Sequence, residues 1–427
     1  MAYYQLKSNN PNLSFVIYKN PNSGMQIKSL RRGHLFGWYS AEGTYNCYFK
    51  DASNDVSYKS YADEQFEYIN TSRYNSPIAA LNVIDESFRS TLKSRHEHDK
   101  DGFEHCYIIN QIVVKSEKYI DFFNKYIEGF HIEQETMAHK NYKLSFYTNK
   151  SLHELFNYIN LFLIFVIIRN GENFFIDDSG IEKNMSCLSA IDSPYYIRYI
   201  FKINFLQNMK VFEKFRPVLE KSNTGKIALT RGTTLDSRID KIVSLLDFKQ
   251  NIVDIGCGDG IYAGKLSRKL KDKHYYAIDK DPACLERTIK RLERMEIEEY
   301  STYESYEQFA ELEVAEPCDY IMTEVIEHNT PDYSAALIRD MVQQENFHQL
   351  VITTPNKDFN RFYLFEDDEL RHEDHLFEFT ADEFKQWLDT IKHADFTIPD
   401  LAIEFFNCGD TVDGVPVSVG AVIRKVK

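Results

Sequence analysis

The chain has 427 residues, of which 43% are hydrophobic and 27% charged, with 17 glycines and 11 prolines. This composition excludes a collagen-like fibre and a globally disordered chain, and the length predicts two or three domains. The seven scattered cysteines form no Cys-x-x-Cys pair, which argues against a disulfide framework or zinc site and predicts a cytoplasmic protein with reduced thiols. No charged-then-apolar segment opens the sequence, and the apolar run Leu161 to Ile168 is too short to cross a membrane, so we expect no membrane partner.

The formal charge of −15 is unevenly distributed along the chain. Residues 301–400 carry 24 acidic and 6 basic residues, whereas residues 1–50 carry 1 acidic and 6 basic residues. An acidic stretch is either a solvated surface or a site for cations, and only the spacing of its carboxylates distinguishes the two.

The first half of the sequence lacks a regular alternation of strands and helices and is rich in Tyr, Phe, Asn and Ile. We predict a separate α+β domain over residues 1–216. The polar segment 217–232 contains a Ser-Asn-Thr-Gly stretch and is predicted to be a linker.

From Thr233 onward, strand and helix patterns alternate regularly. A capping box at Thr233 and Asp236 opens an amphipathic helix, and a second box begins at Thr380. Apolar runs predict strands at residues 251–255, 274–278, 319–322 and 349–353, and a final antiparallel pair at 403–406 and 415–423. This pattern predicts an α/β fold with a doubly wound sheet over residues 233–427.

A glycine-rich turn, Asp-Ile-Gly-Cys-Gly-Asp-Gly, follows the first of these strands at residues 254–260. Its GxGxG spacing suits S-adenosylmethionine (AdoMet) better than a dinucleotide, and Asp279, at the end of the next strand, could accept hydrogen bonds from ribose hydroxyls. For Asp254 three roles remain open: holding the glycine loop, meeting the methionine ammonium, or a purely structural role. The predicted cofactor contacts are Asp254, Gly256, Gly258, Gly260, Asp279 and Ser301.

After the predicted strand at 319–322, Glu324, Glu327 and His328 are spaced i, i+3 and i+4, which would place them on one helical face. Mixed oxygen and nitrogen ligands suit Mg²⁺ or Mn²⁺, with Co²⁺ as a substitute in vitro. This spacing alone is weak evidence, because metal-free methyltransferases carry similar stretches. His375, after the predicted strand at 349–353, supplies a fourth ligand, and His372 is the competing candidate, with exposure to solvent as its ordinary role.

These features together resemble one family, the RNA 3′-terminal ribose 2′-O-methyltransferases, which comprise small-RNA methyltransferases and bacterial RNA-repair enzymes. The resemblance covers residues 235–387 and is carried by the glycine turn, the Glu-Val-Ile-Glu-His stretch at 324–328, Thr-Pro-Asn at 354–356 and Asp-His-x-Phe-Glu at 374–378. It implies a class I AdoMet-dependent methyltransferase fold over residues 233–427. It also implies metal ligands and catalytic residues at Glu324, Glu327, His328 and His375.

The amino-terminal half is similar to the bacterial branch at Tyr68-Ile69-Asn70, at Tyr74 and Ala79-Ala80-Leu81, at residues 175–178 and 181–183, and at Thr234-Leu235-Asp236-x-Arg238. In that branch the front half activates an RNA ligase within a kinase-phosphatase-ligase repair system. The resemblance therefore implies an RNA ligase or a kinase-phosphatase-ligase protein as partner, besides the RNA 3′ end itself.

The expected reaction is metal-dependent transfer of a methyl group from AdoMet to the 2′-hydroxyl of the terminal ribose, in RNA repair or RNA end protection. The alternatives are a metal-independent methyltransferase of a small molecule or protein, and an interaction protein whose catalysis is incidental. We expect phosphate contacts from basic residues, with Lys226, Arg231, Arg361 and Arg371 as candidates.

Overall fold

A computed structural model describes residues 2–30, 33–51, 57–58, 68–69, 72–172, 178–270, 272–312, 314–363, 369–393 and 400–426. The chain divides into two compact units, Met1–Thr224 and Gly225–Lys427. The division lies inside the predicted linker 217–232. That segment is not a plain linker, because residues 217–220 complete the last helix of the first unit and residues 227–228 form a strand of the second.

The first unit contains a seven-stranded antiparallel sheet and helices, as predicted for an α+β domain. Its strands are β1 (Ala2–Ser8), β2 (Gln26–Leu30), β3 (Gly33–Ala41), β4 (Thr44–Asp51), β5 (Ser57–Tyr58), β6 (Tyr68–Ile69), β7 (His105–Val113), β8 (Phe130–Ala138) and β9 (Asn141–Thr148). The large sheet has the order β2-β3-β4-β1-β7-β9-β8, and β5 pairs with β6 in a separate two-stranded sheet.

The helices of the first unit are α1 (Leu13–Val16), α2 (Ser72–Asn75), α3 (Pro77–Ser87), α4 (Arg89–Lys93), α5 (Lys118–Tyr126), α6 (Leu152–Arg169), α7 (Asp178–Ala190), α8 (Tyr195–Phe205) and α9 (Met209–Glu220), with a 3-10 helix at Pro21–Ser23. The sequence matches at residues 70–71 and 175–177 lie outside the described residues.

Helix α6 forms the centre of the first unit's core. Ser151 and Glu154 form a capping box at its start, and its side chains from Leu155 to Ile167 are all buried. Within the described part of the chain, this helix alone is long and apolar enough to cross a membrane, but 78% of it is buried inside the protein. The apolar run Leu161 to Ile168 thus belongs to a core helix.

A buried arginine stabilises the C-terminal end of the first unit. Arg198 on α8 is fully buried, and its guanidinium donates to the carboxylate of Asp192 at 2.7 Å and to the carbonyls of Leu219 and Lys221 at 2.8 Å each. The other oxygen of Asp192 accepts a hydrogen bond from the amide of Asn223 at 2.8 Å. Because a buried charge is tolerated only when it is fully paired, this group fixes the backbone that follows α9.

The second unit contains an eight-stranded sheet that combines parallel and antiparallel pairs. Its strands are β10 (Ile227–Ala228), β11 (Asn251–Ile255), β12 (Tyr275–Ile278), β13 (Tyr300–Tyr303), β14 (Cys318–Thr323), β15 (Phe347–Pro355), β16 (Leu401–Val412) and β17 (Val415–Lys425). Its helices are α10 (Thr234–Leu245), α11 (Ile261–Leu266), α12 (Pro282–Arg294), α13 (Tyr306–Ala310), α14 (Pro331–Gln343) and α15 (Ala381–Lys392), with 3-10 helices at Ser267–Lys269, Ile326–His328 and Lys357–Phe362.

The sheet order β10-β16-β17-β15-β14-β11-β12-β13 confirms the doubly wound architecture. Strands β13, β12, β11, β14 and β15 are parallel, and β17 and β16 form the predicted antiparallel pair. The core includes fully buried Val253, Ile321 and Leu350 from neighbouring strands. The strand order reverses between β12 and β14 on either side of β11, which is where ligands bind in such sheets.

Candidate functional site

The candidate site lies at the carboxyl ends of four adjacent parallel strands. The glycine loop follows β11, Asp279 follows β12, the segment 324–328 follows β14 and Asn356 follows β15. Since these strands run in register side by side, their carboxyl ends share one edge of the sheet. The fold therefore collects motifs that are up to about 100 residues apart in the sequence.

The glycine loop is tightly packed on one side and open on the other. Gly256 has φ +71°, and a Cβ built on it would lie 2.5 Å from a methyl of Val325, so no larger residue fits. Gly258 has φ +53°, but a Cβ there would meet nothing within 4 Å. The amide of Gly258 donates to the Asp279 carboxylate at 2.8 Å. Asp279 thus holds the loop in shape from the neighbouring strand.

Asp254 lies beneath the loop rather than in it. Its side chain is fully buried and accepts a hydrogen bond from the Tyr275 hydroxyl, and its Oδ1 atom has no hydrogen-bond partner among the described residues. Burial raises the pKa of Asp254 to about 7. The bond to Tyr275 is structural, while a contact of Oδ1 with a bound ligand stays a prediction.

Ser301 is not brought to the glycine loop. It pairs with Tyr276 in the sheet, three residues before Asp279, and its hydroxyl contacts the His274 ring at 2.9 Å. Its predicted contact with the cofactor therefore receives no support from its position.

Three of the four predicted metal ligands come together. Three potential ligand atoms, one each from Glu327, His328 and His375, lie within 4.8 Å of one another. The 3-10 helix Ile326–His328 presents the first two, and the backbone amide of Leu376 donates to the Glu327 carbonyl at 2.8 Å, which ties the third segment to them. The imidazole rings of His328 and His375 meet edge to face with centroids 4.8 Å apart.

Glu327 is the most buried of the three. It is fully buried; its Oε2 atom accepts a hydrogen bond from Thr354 at 3.2 Å, whereas Oε1 has no hydrogen-bond partner among the described residues. Burial, with the nearby charge of Glu324, raises the pKa of Glu327 well above its usual range. A buried carboxylate oxygen without a partner, next to two imidazoles, fits a small divalent cation.

The prediction that Glu324 shares a helical face with Glu327 and His328 is wrong. Glu324 has φ +54°, in the left-handed region, which breaks the helical register before the 3-10 helix begins. Its carboxylate forms an ion pair with Arg238 of α10 and lies 3.4 Å from the Thr353 hydroxyl. Sequence reasoning assigned no role to Arg238, because the spacing of local motifs does not report a partner on a distant helix.

Glu378 orients His375, a role that the sequence analysis did not assign. The His375 Nδ1 atom lies 2.7 Å from Glu378 Oε1, which also accepts from the Arg371 amide at 2.8 Å, while Oε2 accepts from Asn360 at 2.6 Å. Although burial alone raises the pKa of Glu378, these hydrogen bonds hold it below its usual range. With its proton on Nδ1, His375 presents the Nε2 lone pair, as metal-binding histidines with a carboxylate partner do. The i, i+3 spacing of the two residues was the available signal.

Two neighbouring residues are excluded from binding roles. The His372 side chain is 69% exposed and contacts Asp374, so its ordinary role as a solvent-exposed residue is the correct one. The Arg371 guanidinium donates to the carbonyls of Asn356 and Val417, at 2.5 and 2.8 Å, and to Asn360 at 2.6 Å. Arg371 is thereby used in the fold and is not free to contact a phosphate.

Comparisons with known proteins cover both units. The family model of the Hen1 N-terminal domain matches residues 3–224, and that of a methyltransferase domain matches residues 221–398. In the solved structure of the Pnkp1/Rnl/Hen1 RNA repair complex, one chain is similar over its whole length to 99% of this chain, with 26% identity and a TM-score of 0.81. A second structure of the Pnkp1/Rnl/Hen1 complex has the same identity and coverage, with a TM-score of 0.79. A comparison with curated proteins gave no match.

The two family models therefore agree with the two structural units. The first spans more than half of the sequence, and the second spans the glycine loop and the ligand group. The chain belongs to the Hen1 family, and its second unit is an AdoMet-dependent methyltransferase domain.

Proposed function

We propose that this protein transfers a methyl group from AdoMet to the 2′-hydroxyl of the 3′-terminal ribose of RNA, and that the reaction needs Mg²⁺ or Mn²⁺. The observation that carries this proposal is the ligand group of Glu327, His328 and His375 on the same sheet edge as the glycine loop. The likeness to a chain of an RNA repair complex at 26% identity supports RNA as the substrate.

Different residues of the chain bind the cofactor and the cation. The glycine loop and Asp279 bind AdoMet, and Glu327, His328 and His375 hold the cation. Glu324, the fourth predicted ligand, would join this set only if it left its ion pair with Arg238. A cation held there would act as a Lewis acid that lowers the pKa of a hydroxyl, and only a 3′-terminal ribose would offer it two vicinal hydroxyls.

Two features of the site hold the metal-binding side chains in a suitable state for a cation. The buried position of Glu327 excludes water from its carboxylate, and Glu378 fixes the tautomer and the ring orientation of His375. AdoMet carries an already activated methyl group, so positioning of the hydroxyl supplies much of the rate enhancement.

The test compares matched RNAs that end in 3′-hydroxyl, 3′-deoxyribose, 3′-phosphate and 2′-deoxyribose, with labelled AdoMet and Mn²⁺. We expect efficient labelling of the first RNA only. Equal labelling of the first three would contradict both end specificity and the role of the cation. The bases of the RNA should have little influence, because nothing in this scheme contacts base edges.

The metal-independent alternative has one observation in its favour: Glu324 is paired with Arg238 rather than placed in the ligand group. Treatment with EDTA separates the two hypotheses. Full activity after removal of divalent cations would favour the alternative, whereas loss of activity with recovery on adding Mn²⁺ supports the metal-dependent reaction.

We also propose that the protein works in the cytoplasm, since all seven of its cysteines are free. Its partners would be an RNA ligase and a kinase-phosphatase, because a relative similar over 99% of the chain is in the Pnkp1/Rnl/Hen1 complex. Co-purification of the full chain with these enzymes tests this assignment. Separate elution of all components at micromolar concentration would contradict it.

A further inference from the structure

One face of the large sheet in the first unit carries few buried side chains. Along each strand, core residues such as Tyr4, Leu6 and Tyr107 alternate with residues of the opposite face, most of which are half-buried or exposed. We call this opposite face the open face. Its members are Ile27, His34, Phe36, Trp38, Asn46, Tyr48, Lys50, Tyr3, Gln5, Lys7, Cys106, Ile108, Ser145, Tyr147, His131 and Glu133, which pair across neighbouring strands.

Aromatic rings cluster on one part of the open face. Tyr3 and Trp38 lie with ring centroids 6.4 Å apart, and Phe36 and Tyr48 with centroids 5.8 Å apart. Buried Asn46 accepts hydrogen bonds from the Tyr3 hydroxyl at 2.6 Å and from the Gln5 side chain at 2.9 Å, which fixes the first pair. Fixed, half-exposed rings on an antiparallel sheet are a platform on which unpaired bases can stack.

The open face continues into a cavity of about 660 Å³ at the end of the sheet. Lys7, Cys106, Tyr147 and His131 of the open face line it, together with buried His105. The Nδ1 atom of His105 lies 2.8 Å from the Ser8 hydroxyl, whereas Nε2 is buried and has no hydrogen-bond partner among the described residues. The volume lies within the range of small-molecule pockets and accommodates one nucleotide.

Two exposed cations lie beside the aromatic pairs. Lys7 and Lys50 flank these pairs, where their side chains can contact phosphates. Carboxylates lie at the periphery: Glu42 and Glu104 on the cavity wall, where they can accept from base amino groups, and Glu133 on the edge strand.

We propose that the open face of the first unit binds single-stranded RNA, with bases stacked on the Tyr3–Trp38 and Phe36–Tyr48 pairs, phosphates near Lys7 and Lys50, and one base in the cavity. This surface is separate from the methyl-transfer site. The bound RNA would be of the class that the second unit methylates, so in that respect the inference rests on the proposed function.

The main test uses the full-length protein and a fluorescent 20-nucleotide RNA with a 2′-deoxy 3′ end, which cannot be methylated, so that binding is scored apart from catalysis. The double variant Lys7→Glu, Lys50→Glu should weaken RNA binding about tenfold or more. It should also reduce the magnitude of the slope of log K against the logarithm of the salt concentration by about 1.4, the value for two lost phosphate contacts to a single strand. The matched control Lys93→Glu, Lys210→Glu makes the same change of charge on exposed helical residues and should bind as the wild type does.

Two further measurements examine the rings and the cavity. Trp38→Leu, which keeps an apolar side chain, should weaken binding by about tenfold at an unchanged melting temperature. Bound RNA should also slow alkylation of half-exposed Cys106 on the cavity wall, while Cys284 in the second unit serves as the internal comparison.

The outcomes separate the proposals. If the lysine double variant and the control bind RNA equally tightly, the open face is not an RNA surface. If the double variant binds RNA normally but no longer co-purifies with a partner enzyme, the face contacts protein and our proposal is wrong. If wild-type protein binds the RNA through this face but does not methylate a normal 3′ end, the proposed function fails and the open face stands.

Discussion

Replacement of Glu378 by Gln probes how His375 is held for the metal. The carboxylate accepts three hydrogen bonds, from His375, from the Arg371 amide and from Asn360, at 2.6 to 2.8 Å. Glutamine has the shape of glutamate but no charge, and its NH₂ group must face one of the three hydrogen-bond donors. Loss of a charge-assisted hydrogen bond costs about 1.5 to 3 kcal/mol. Removal of the hydrogen-bond partner of a metal ligand lowers the metal affinity roughly 10- to 100-fold, which corresponds to a similar free energy.

The assay is a Mn²⁺ titration of methyl transfer to a short RNA. Glu378→Gln should raise the Mn²⁺ concentration for half-maximal rate by about 10- to 100-fold, while the AdoMet Kd, measured by calorimetry, stays unchanged. Asp374→Asn is the matched control, since Asp374 contacts His328 at 3.3 Å but its side chain is 62% exposed. Because solvent screens this exposed contact, the control should shift the midpoint by less than about fivefold. Equal midpoints for Glu378→Gln and the wild type would refute the positioning role of Glu378.

Three other changes test the rest of the site. Asp279→Ala should weaken AdoMet binding by about 1 to 3 kcal/mol in calorimetry, because it removes charge-assisted bonds and the support of the Gly258 amide; an unchanged affinity would exclude the role. Glu327→Ala or His375→Ala should abolish methyl transfer with AdoMet affinity near normal, and EDTA should reproduce this effect; a variant with full activity would refute the ligand assignment. For Asp254, burial raises the folded-state pKa to about 7, above the roughly 3.9 of an unfolded aspartate, so the folded state binds the proton more tightly and stability falls as pH rises from about 4 to 7. Asp254→Asn should remove up to about 4 kcal/mol of this pH dependence in urea unfolding at pH 4.5 and pH 8, and parallel curves for both proteins would contradict the assignment.

The fold of the second unit could be predicted from sequence because its signals are local. The capping boxes at Thr233 and Thr380 both open helices, and the apolar runs before Gly256 and Asp279 are strands. Parallel strands then bring their carboxyl ends together, so the common location of the glycine loop and the ligand group follows from topology alone.

Predictions failed where conformation depends on distant contacts or on one residue's dihedral angles. Glu324 has the spacing of a helical residue, but its left-handed conformation and the Arg238 partner move it away from Glu327. The predicted linker begins four residues too early, because α9 continues through Pro217 to Glu220. The cavity beside His105 joins five strands that are far apart in the sequence, so no local pattern indicates it.

The anchored amide of Asn223 has a consequence for the join between the two units. In the second unit, the Lys226 amide donates to the Asp413 carboxylate at 2.7 Å, as the Asn223 amide donates to Asp192 in the first. Only Thr224 and Gly225 lie between these two fastened points, and such a tether spans about 10 Å at full extension. The two units are therefore joined by a short segment, and a flexible insertion between Thr224 and Gly225 would lower the effective concentration of one unit at the other without disturbing either core.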